Sequence, residues 1–169
     1  MNEPLKIGVV GVGYLGSIHA RIYTRLSDVA LVGVNDVDSD VGRQVAADCE
    51  CDFYSNVDQL ADSVDAVSVV VPTSCHREVS LPFLSRGIPV LLEKPVAHTL
   101  DDARLIVNEA QQNGTILQIG HLERFNAGVV RLHQELDRPR FIEVHRLSKF
   151  TERATDVDVV TDLMIHDID

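Results

Sequence analysis

The stretch LKIGVVGVGYLG, residues 5–16, decides the fold. An apolar run of strand length leads into a Gly-x-Gly-x-x-Gly pattern formed by Gly11, Gly13 and Gly16, and an amphipathic segment follows. In this pattern the first glycine permits a tight turn, the second lets backbone approach a pyrophosphate, and the third allows close packing of helix on strand. We therefore expect a dinucleotide-binding turn at a helix N-terminus, with Tyr14 and Leu15 also at the cofactor.

The second apolar run ends in an acidic residue, Asp36, which lies 20 positions after Gly16. A carboxylate at this point accepts hydrogen bonds from the adenosine ribose and repels a 2′-phosphate. The combination favours NAD over NADP as cofactor. The competing interpretation is that the glycines make only a tight turn and that Asp36 caps a helix.

Further apolar runs of strand length follow along the chain. They contain no polar alternation, which is typical of strands covered on both faces. Amphipathic segments separate them, and one has a clear start at Thr99 and a clear stop at Gly114. The runs cover residues 30–34, 51–54, 66–71, 88–92 and 115–119. The alternation predicts an α/β protein, with a Rossmann-type doubly wound parallel sheet as a dinucleotide-binding domain over residues 1–121.

The pattern changes after Gly120. Residues 123–136 have helical spacing, residues 140–150 alternate like a half-exposed strand, and residues 158–169 again have helical spacing. We expect residues 122–169 to be the truncated start of a second domain of α+β type, which binds substrate.

Composition limits the partners. The 169 residues carry 26 acidic and 15 basic side chains, a net charge of −11, which argues against nucleic acid or an anionic membrane as partner. Three cysteines without a Cys-x-x-Cys pair indicate a reducing compartment. No leader peptide and no membrane-spanning run is recognisable, so we expect a cytoplasmic location.

Three further groups of residues are candidates for chemistry. Glu93-Lys94-Pro95 follows the apolar run 88–92, and a surface ion pair is the alternative interpretation. Asp162 and His166 are four positions apart and share one helix face, where an exposed polar face or a metal site with His121 would be the alternatives.

The third group follows the run that ends at Val71. Pro72, Thr73 and His76 are candidates for the cofactor side. Helix capping by Thr73 or Ser74 is an alternative compatible with it, and packing or capping near the pocket is the alternative for His76. No metal is expected. For His19 we identify no convergent partner, and we expect a structural or surface role.

These motifs resemble the Gfo/Idh/MocA oxidoreductases, through EKP at 93–95 and DLMIHD at 162–167. The stretch GHLERFN at 120–126 resembles the branch that acts on nucleotide sugars. The resemblance implies hydride transfer between nicotinamide and a secondary sugar hydroxyl, with C3 of a UDP-linked N-acetyl sugar as the expected position. It also implies that a full-length member continues into an open sheet that forms the substrate pocket and a homo-oligomer contact.

The resemblance also implies residue roles. Lys94 would bind the reacting hydroxyl beside the cofactor, Glu93 would contact the nicotinamide ribose, and a cis peptide would precede Pro95. His166 would be the catalytic base, and Asp162 would bind substrate or share in the proton transfer. The nicotinamide amide or a substrate phosphate would be reached by Arg124 and Asn126. Two other functions stay open: the same chemistry on a free polyol such as inositol, and a non-catalytic NAD-binding module.

Overall fold

The computed structural model describes residues 3–145 and 163–168. Six parallel strands form one sheet in the order β3-β2-β1-β4-β5-β6. The strands are β1 (Leu5–Val10), β2 (Val29–Asn35), β3 (Asp52–Phe53), β4 (Ala66–Val69), β5 (Val90–Leu92) and β6 (Leu117–Ile119). This order reverses direction between β1 and β4, as in doubly wound dinucleotide-binding sheets. The predicted fold class is confirmed.

Five helices connect the strands and cover both faces of the sheet. They are α1 (Tyr14–Tyr23), α2 (Ser39–Cys49), α3 (Val57–Ala61), α4 (His76–Leu84) and α5 (Leu100–Gln112). Two more, α6 (Ala127–Glu135) and α7 (Ile165–Ile168), follow β6. The predicted start of α5 is confirmed, because the Thr99 hydroxyl accepts a hydrogen bond from the backbone N–H of Asp102. No helix in these described stretches is long and apolar enough to cross a bilayer.

Each face of the sheet has its own core. On one face, side chains of β1 and β2 pack with α1 and α2, and this cluster contains Val9, Val34, Ala20 and Val45. On the other face, β4 and β5 pack with α3, α4 and α5 in a larger cluster that includes the fully buried Phe83. Burial on both faces explains why the strand sequences are continuous apolar runs.

Residues after Gly120 differ from expectation. The helix expected over 123–136 is divided into a 3₁₀ turn, Leu122–Phe125, and α6, because the Asn126 side chain caps the backbone N–H of Gly128 and starts a new helix. The strand expected over 140–150 is absent from its described part, 140–145. No strand of the described chain pairs with residues 140–145. Since an unpaired strand leaves its backbone N–H and C=O groups without hydrogen-bond partners, these residues form no strand.

Candidate active site

The carboxyl ends of β1, β4 and β5 bring three loops together where the strand order reverses. Between β1 and β4 the connections lead away in opposite directions, which opens a crevice in folds of this kind. The loops are the glycine loop at Gly11–Gly16, the β4 loop at residues 70–75, and the β5 loop at residues 93–95. All the cofactor residues predicted from the sequence, except Asp36 and His76, are in these loops.

The glycine loop is shaped by two positions where a side chain cannot fit. Gly11 has a φ of +80°, and a Cβ there would lie 2.5 Å from the carbonyl oxygen of Val70 in the β4 loop. A Cβ on Gly16 would overlap the carbonyl oxygen of Gly11. The turn and the close packing of helix on strand predicted for these two glycines are therefore present.

The middle glycine has a different environment. A Cβ on Gly13 would meet no atom of the described chain within 4 Å. Gly13 is also the N-cap of α1, and no side chain there hydrogen-bonds to the first-turn N–H groups. Open space in front of uncapped N–H groups, at the positive end of a helix, fits the pyrophosphate of a dinucleotide.

Asp36 is attached to the glycine loop. Its Oδ2 accepts a hydrogen bond of 2.7 Å from the backbone N–H of Val12, and its Oδ1 accepts one of 2.9 Å from Asp38. The side chain that caps α2 is Asp38, which accepts from the N–H groups of Asp40 and Val41. The helix-cap interpretation of Asp36 is therefore wrong. Its carboxylate is instead fixed beside the loop, with oxygen lone pairs left for a ribose.

The β4 loop forms a 3₁₀ turn, Thr73–Cys75, before α4. Pro72 is exposed and Thr73 is buried. The N-cap positions of this turn and of α4 are Pro72 and Cys75, and neither makes a side-chain cap hydrogen bond. Thr73 and Ser74 therefore lie inside the turn and not at either N-cap position.

His76 connects the β4 and β5 loops. Its ring is 1% exposed, with Nε2 3.0 Å from the carbonyl oxygen of Val71 and Nδ1 2.9 Å from that of Pro95. Burial lowers the pKa of His76 below its usual value, although the carbonyl oxygens and the charge of Glu93 act in the opposite direction. Both ring nitrogens therefore face backbone carbonyl groups, and His76 forms a strut between the β4 and β5 loops.

The β5 loop carries Glu93 and Lys94. The peptide between Lys94 and Pro95 is cis, as the resemblance implied. Glu93 is only 7% exposed, and its Oε2 accepts a hydrogen bond of 3.2 Å from the backbone N–H of Lys94. A surface ion pair is therefore the wrong interpretation of these two residues. The Lys94 side chain is partly exposed at the edge of the sheet.

One residue at this site was missed in the sequence. His19 of α1 lies with Nδ1 2.9 Å from the Ser68 hydroxyl and Nε2 3.4 Å from Glu93 Oε1. The expectation that His19 has no convergent partner was therefore wrong. One signal was available: Ser68 is a polar residue within the apolar run 66–71, and a buried hydroxyl needs a partner.

The remaining predicted residues lie after β6. Arg124 and Asn126 are exposed, and Asn126 caps α6. His166 is partly exposed in the short helix α7, and Asp162 lies outside the described residues. No group of three or more metal-ligating side chains occurs in residues 3–145 and 163–168.

Known proteins similar to this chain share its fold and, in part, its sequence. A UDP-N-acetylglucosamine 3-dehydrogenase from Acidithiobacillus ferrooxidans is 39% identical over 98% of this chain and 52% of its own length. A crystal form of that enzyme superposes with a TM-score of 0.89 at 38% identity, covering 99% of this chain and 53% of its own. An inositol 2-dehydrogenase/D-chiro-inositol 3-dehydrogenase from Shouchella clausii is 33% identical over 98% of this chain and 51% of its own length.

A third relative was solved with a cofactor. The structure of GenD2 from gentamicin A biosynthesis, in complex with NAD, has a TM-score of 0.75 at 30% identity, covering 79% of this chain and 39% of its own. The chain spans about half the length of the curated relatives it matches. Residues 5–121 match the oxidoreductase family with an NAD-binding Rossmann fold. Together with the glycine loop and the β5 loop, this match shows that the chain belongs to the Gfo/Idh/MocA oxidoreductases.

Proposed function

We propose that this chain is the cofactor-binding part of an NAD-dependent dehydrogenase that oxidises a secondary hydroxyl of a nucleotide-linked sugar, with C3 of a UDP-N-acetyl sugar as the reacting position. The observation that carries the proposal is the attachment of Asp36 to the glycine loop through the N–H of Val12. It holds a carboxylate where an adenosine ribose would lie, next to the open helix N-terminus at Gly13.

The pyrophosphate would bind at the glycine loop, through the backbone of Gly13, Tyr14 and Leu15. Asp36 would accept hydrogen bonds from the adenosine ribose, and its negative charge disfavours a 2′-phosphate, so NAD is the proposed cofactor rather than NADP. Pro72 and Thr73 would border the dinucleotide from the β4 loop. His76 would support that border, since its ring nitrogens face the carbonyl oxygens of Val71 and Pro95.

When bound, the dinucleotide supplies the hydride acceptor for alcohol oxidation. Lys94 would place its ammonium group against the substrate hydroxyl and stabilise the developing negative charge on oxygen. His166 would accept the hydroxyl proton, which leaves a ketone at the carbon that gives up hydride. Asp162, Arg124 and Asn126 would hold the substrate around these two groups.

The substrate class rests on sequence similarity. The relative named as a UDP-N-acetylglucosamine 3-dehydrogenase is 39% identical to this chain, whereas the inositol dehydrogenase from Shouchella clausii is 33% identical. A nucleotide sugar is therefore the first substrate to test, and inositol is the second candidate.

A fluorescence titration of NADH and NADPH into this chain tests the cofactor. We expect tighter binding of NADH, and we expect Asp36→Ala to weaken NADH about 10- to 100-fold, because hydrogen bonds to a charged group contribute about 1.5–3 kcal/mol. Asp38→Ala is the matched control, since this neighbouring carboxylate caps α2 and should leave affinity unchanged. Equal affinity for NADPH would contradict the choice of NAD.

Turnover tests the reaction. In the full-length protein with UDP-N-acetylglucosamine, we expect Lys94→Met to lower kcat at least about 100-fold and His166→Ala about 100- to 10,000-fold, while NADH still binds. Lys6→Met, on exposed residue Lys6 of β1, should have no effect. Turnover of inositol alone would select the polyol function, and cofactor binding without any turnover would select the non-catalytic module.

A further inference from the structure

Three polar side chains form a line from α1 to the β5 loop. His19 is on α1, Ser68 is in β4, and Glu93 follows β5. Ser68 is fully buried and Glu93 is 7% exposed. His19 Nδ1 is 2.9 Å from Ser68 Oγ, and His19 Nε2 is 3.4 Å from Glu93 Oε1. Thus the line crosses from a helix, over a central strand, to the loop that carries Lys94.

The donors along this line can be assigned from what each group is able to do. A carboxylate accepts only, so His19 places its N–H at Nε2, toward Glu93. In the neutral ring Nδ1 is then an acceptor, and it accepts a hydrogen bond from the Ser68 hydroxyl. Both donors therefore point along the line toward Glu93.

The Glu93 carboxylate is directed into the protein on three sides. Oε1 faces His19, Oε2 accepts the backbone N–H of Lys94, and a Cβ on Gly120 would lie 3.1 Å from Oε1. Oε1 has no hydrogen-bond partner in residues 3–145 and 163–168, and His19 Nε2 faces it there at 3.4 Å. A buried carboxylate oxygen without a donor is costly, so this contact controls where Glu93 lies.

We propose that His19 is a positioning residue, which holds Glu93 through Nε2 and thereby fixes the backbone direction of Lys94. Glu93 then acts as a brace of the β5 loop. The proposal rests on the proposed function, because the consequence of a misdirected Lys94 is loss of turnover. Cofactor binding at the glycine loop does not depend on this brace.

Two substitutions of similar polarity separate the two ring nitrogens. The amide nitrogen of His19→Gln reaches about as far as Nε2, and that of His19→Asn about as far as Nδ1. We expect His19→Gln to keep kcat within about 3-fold and His19→Asn to lower it at least about 10-fold, because only the shorter side chain leaves Glu93 without a donor. Both variants should bind NADH within about 3-fold of the parent chain.

Imidazole ¹⁵N shifts of the 169-residue chain give a readout independent of turnover. We expect the Nε2–H tautomer at the resonance that disappears in His19→Gln. An Nδ1–H tautomer would overturn the proposal, and so would equal kcat losses in the two variants. A higher Kd for NADH with unchanged kcat in His19→Asn would overturn it too, because the His19–Glu93 contact would then serve cofactor binding and not the direction of Lys94. If the parent chain binds no NADH, the proposed function fails while the tautomer still tests the His19–Glu93 contact.

Discussion

The glycine loop and the β5 loop lie at the same edge of the sheet but are held in different ways. The glycine loop depends on missing side chains at Gly11 and Gly16, and its carboxylate is fixed by backbone N–H groups. The β5 loop depends on polar side chains from other elements, the buried His76 of α4 and the partly buried His19 of α1. One end of the crevice is thus shaped by steric exclusion, and the other is assembled from long-range polar contacts.

The largest expected effect is at the close contact of the glycine loop. Gly16→Ala places a methyl group on the Gly11 carbonyl oxygen, where backbone on both sides prevents relaxation. We expect a loss of about 3 kcal/mol or more in the free energy of unfolding, measured by urea denaturation of this chain.

Gly13→Ala is the matched control, because its methyl group would meet no described atom within 4 Å. It should change stability by less than about 1 kcal/mol. Its expected effect is instead on NADH affinity, since the methyl group occupies space in front of the helix N-terminus. Similar unfolding free energies for the two variants would contradict a loop shaped by steric exclusion.

His76 provides the corresponding test at the other loops. His76→Leu removes a buried ring whose two nitrogens face the carbonyl oxygens of Val71 and Pro95, and the carbonyl that accepts the ring N–H loses its donor. We expect a loss of about 1–3 kcal/mol in the free energy of unfolding, the cost of a buried unsatisfied group. Urea denaturation of the variant at pH 8 measures it, and a loss below about 0.5 kcal/mol would show that the strut is dispensable.

The pH dependence of stability gives a second test of the contribution of His76. Because burial lowers the pKa of His76 in the folded chain, the unfolded chain binds the proton more readily. The stabilising contribution of the neutral ring is therefore complete above the unfolded pKa of about 6.5 and is lost as pH falls below it. Urea midpoints between pH 8 and 5 should fall more steeply in the parent chain than in His76→Leu. Parallel pH profiles would mean that another group causes the loss.

The two loops also differ in how far the sequence predicts them. The roles of Gly11, Gly16 and Asp36 are indicated by short-range spacing within a strand–turn–helix context. Residues 5–36 are therefore sufficient to predict them. His19 was missed because Ser68 is 49 positions away along the chain. On α1, the large apolar Ile22 is 49% exposed while the small Ala20 is fully buried. The helix phase that places His19 against the sheet was therefore not visible in the apolar pattern.

The smallest expected effects come from a matched pair of helix caps, one beyond each loop. Asp38 caps α2 just after Asp36, and Thr99 caps α5 after the β5 loop. Alanine at either position should lower the free energy of unfolding by about 0.5–2 kcal/mol, measured by urea denaturation. Neither should alter NADH affinity, because the Asp36 carboxylate and the Glu93 brace keep their own partners. The informative result would be a kcat loss in full-length Thr99→Ala together with unchanged NADH affinity in Asp38→Ala. It would show that the β5 loop, which is assembled from distant contacts, transmits a small local loss of stability to the site, whereas the sterically shaped glycine loop does not.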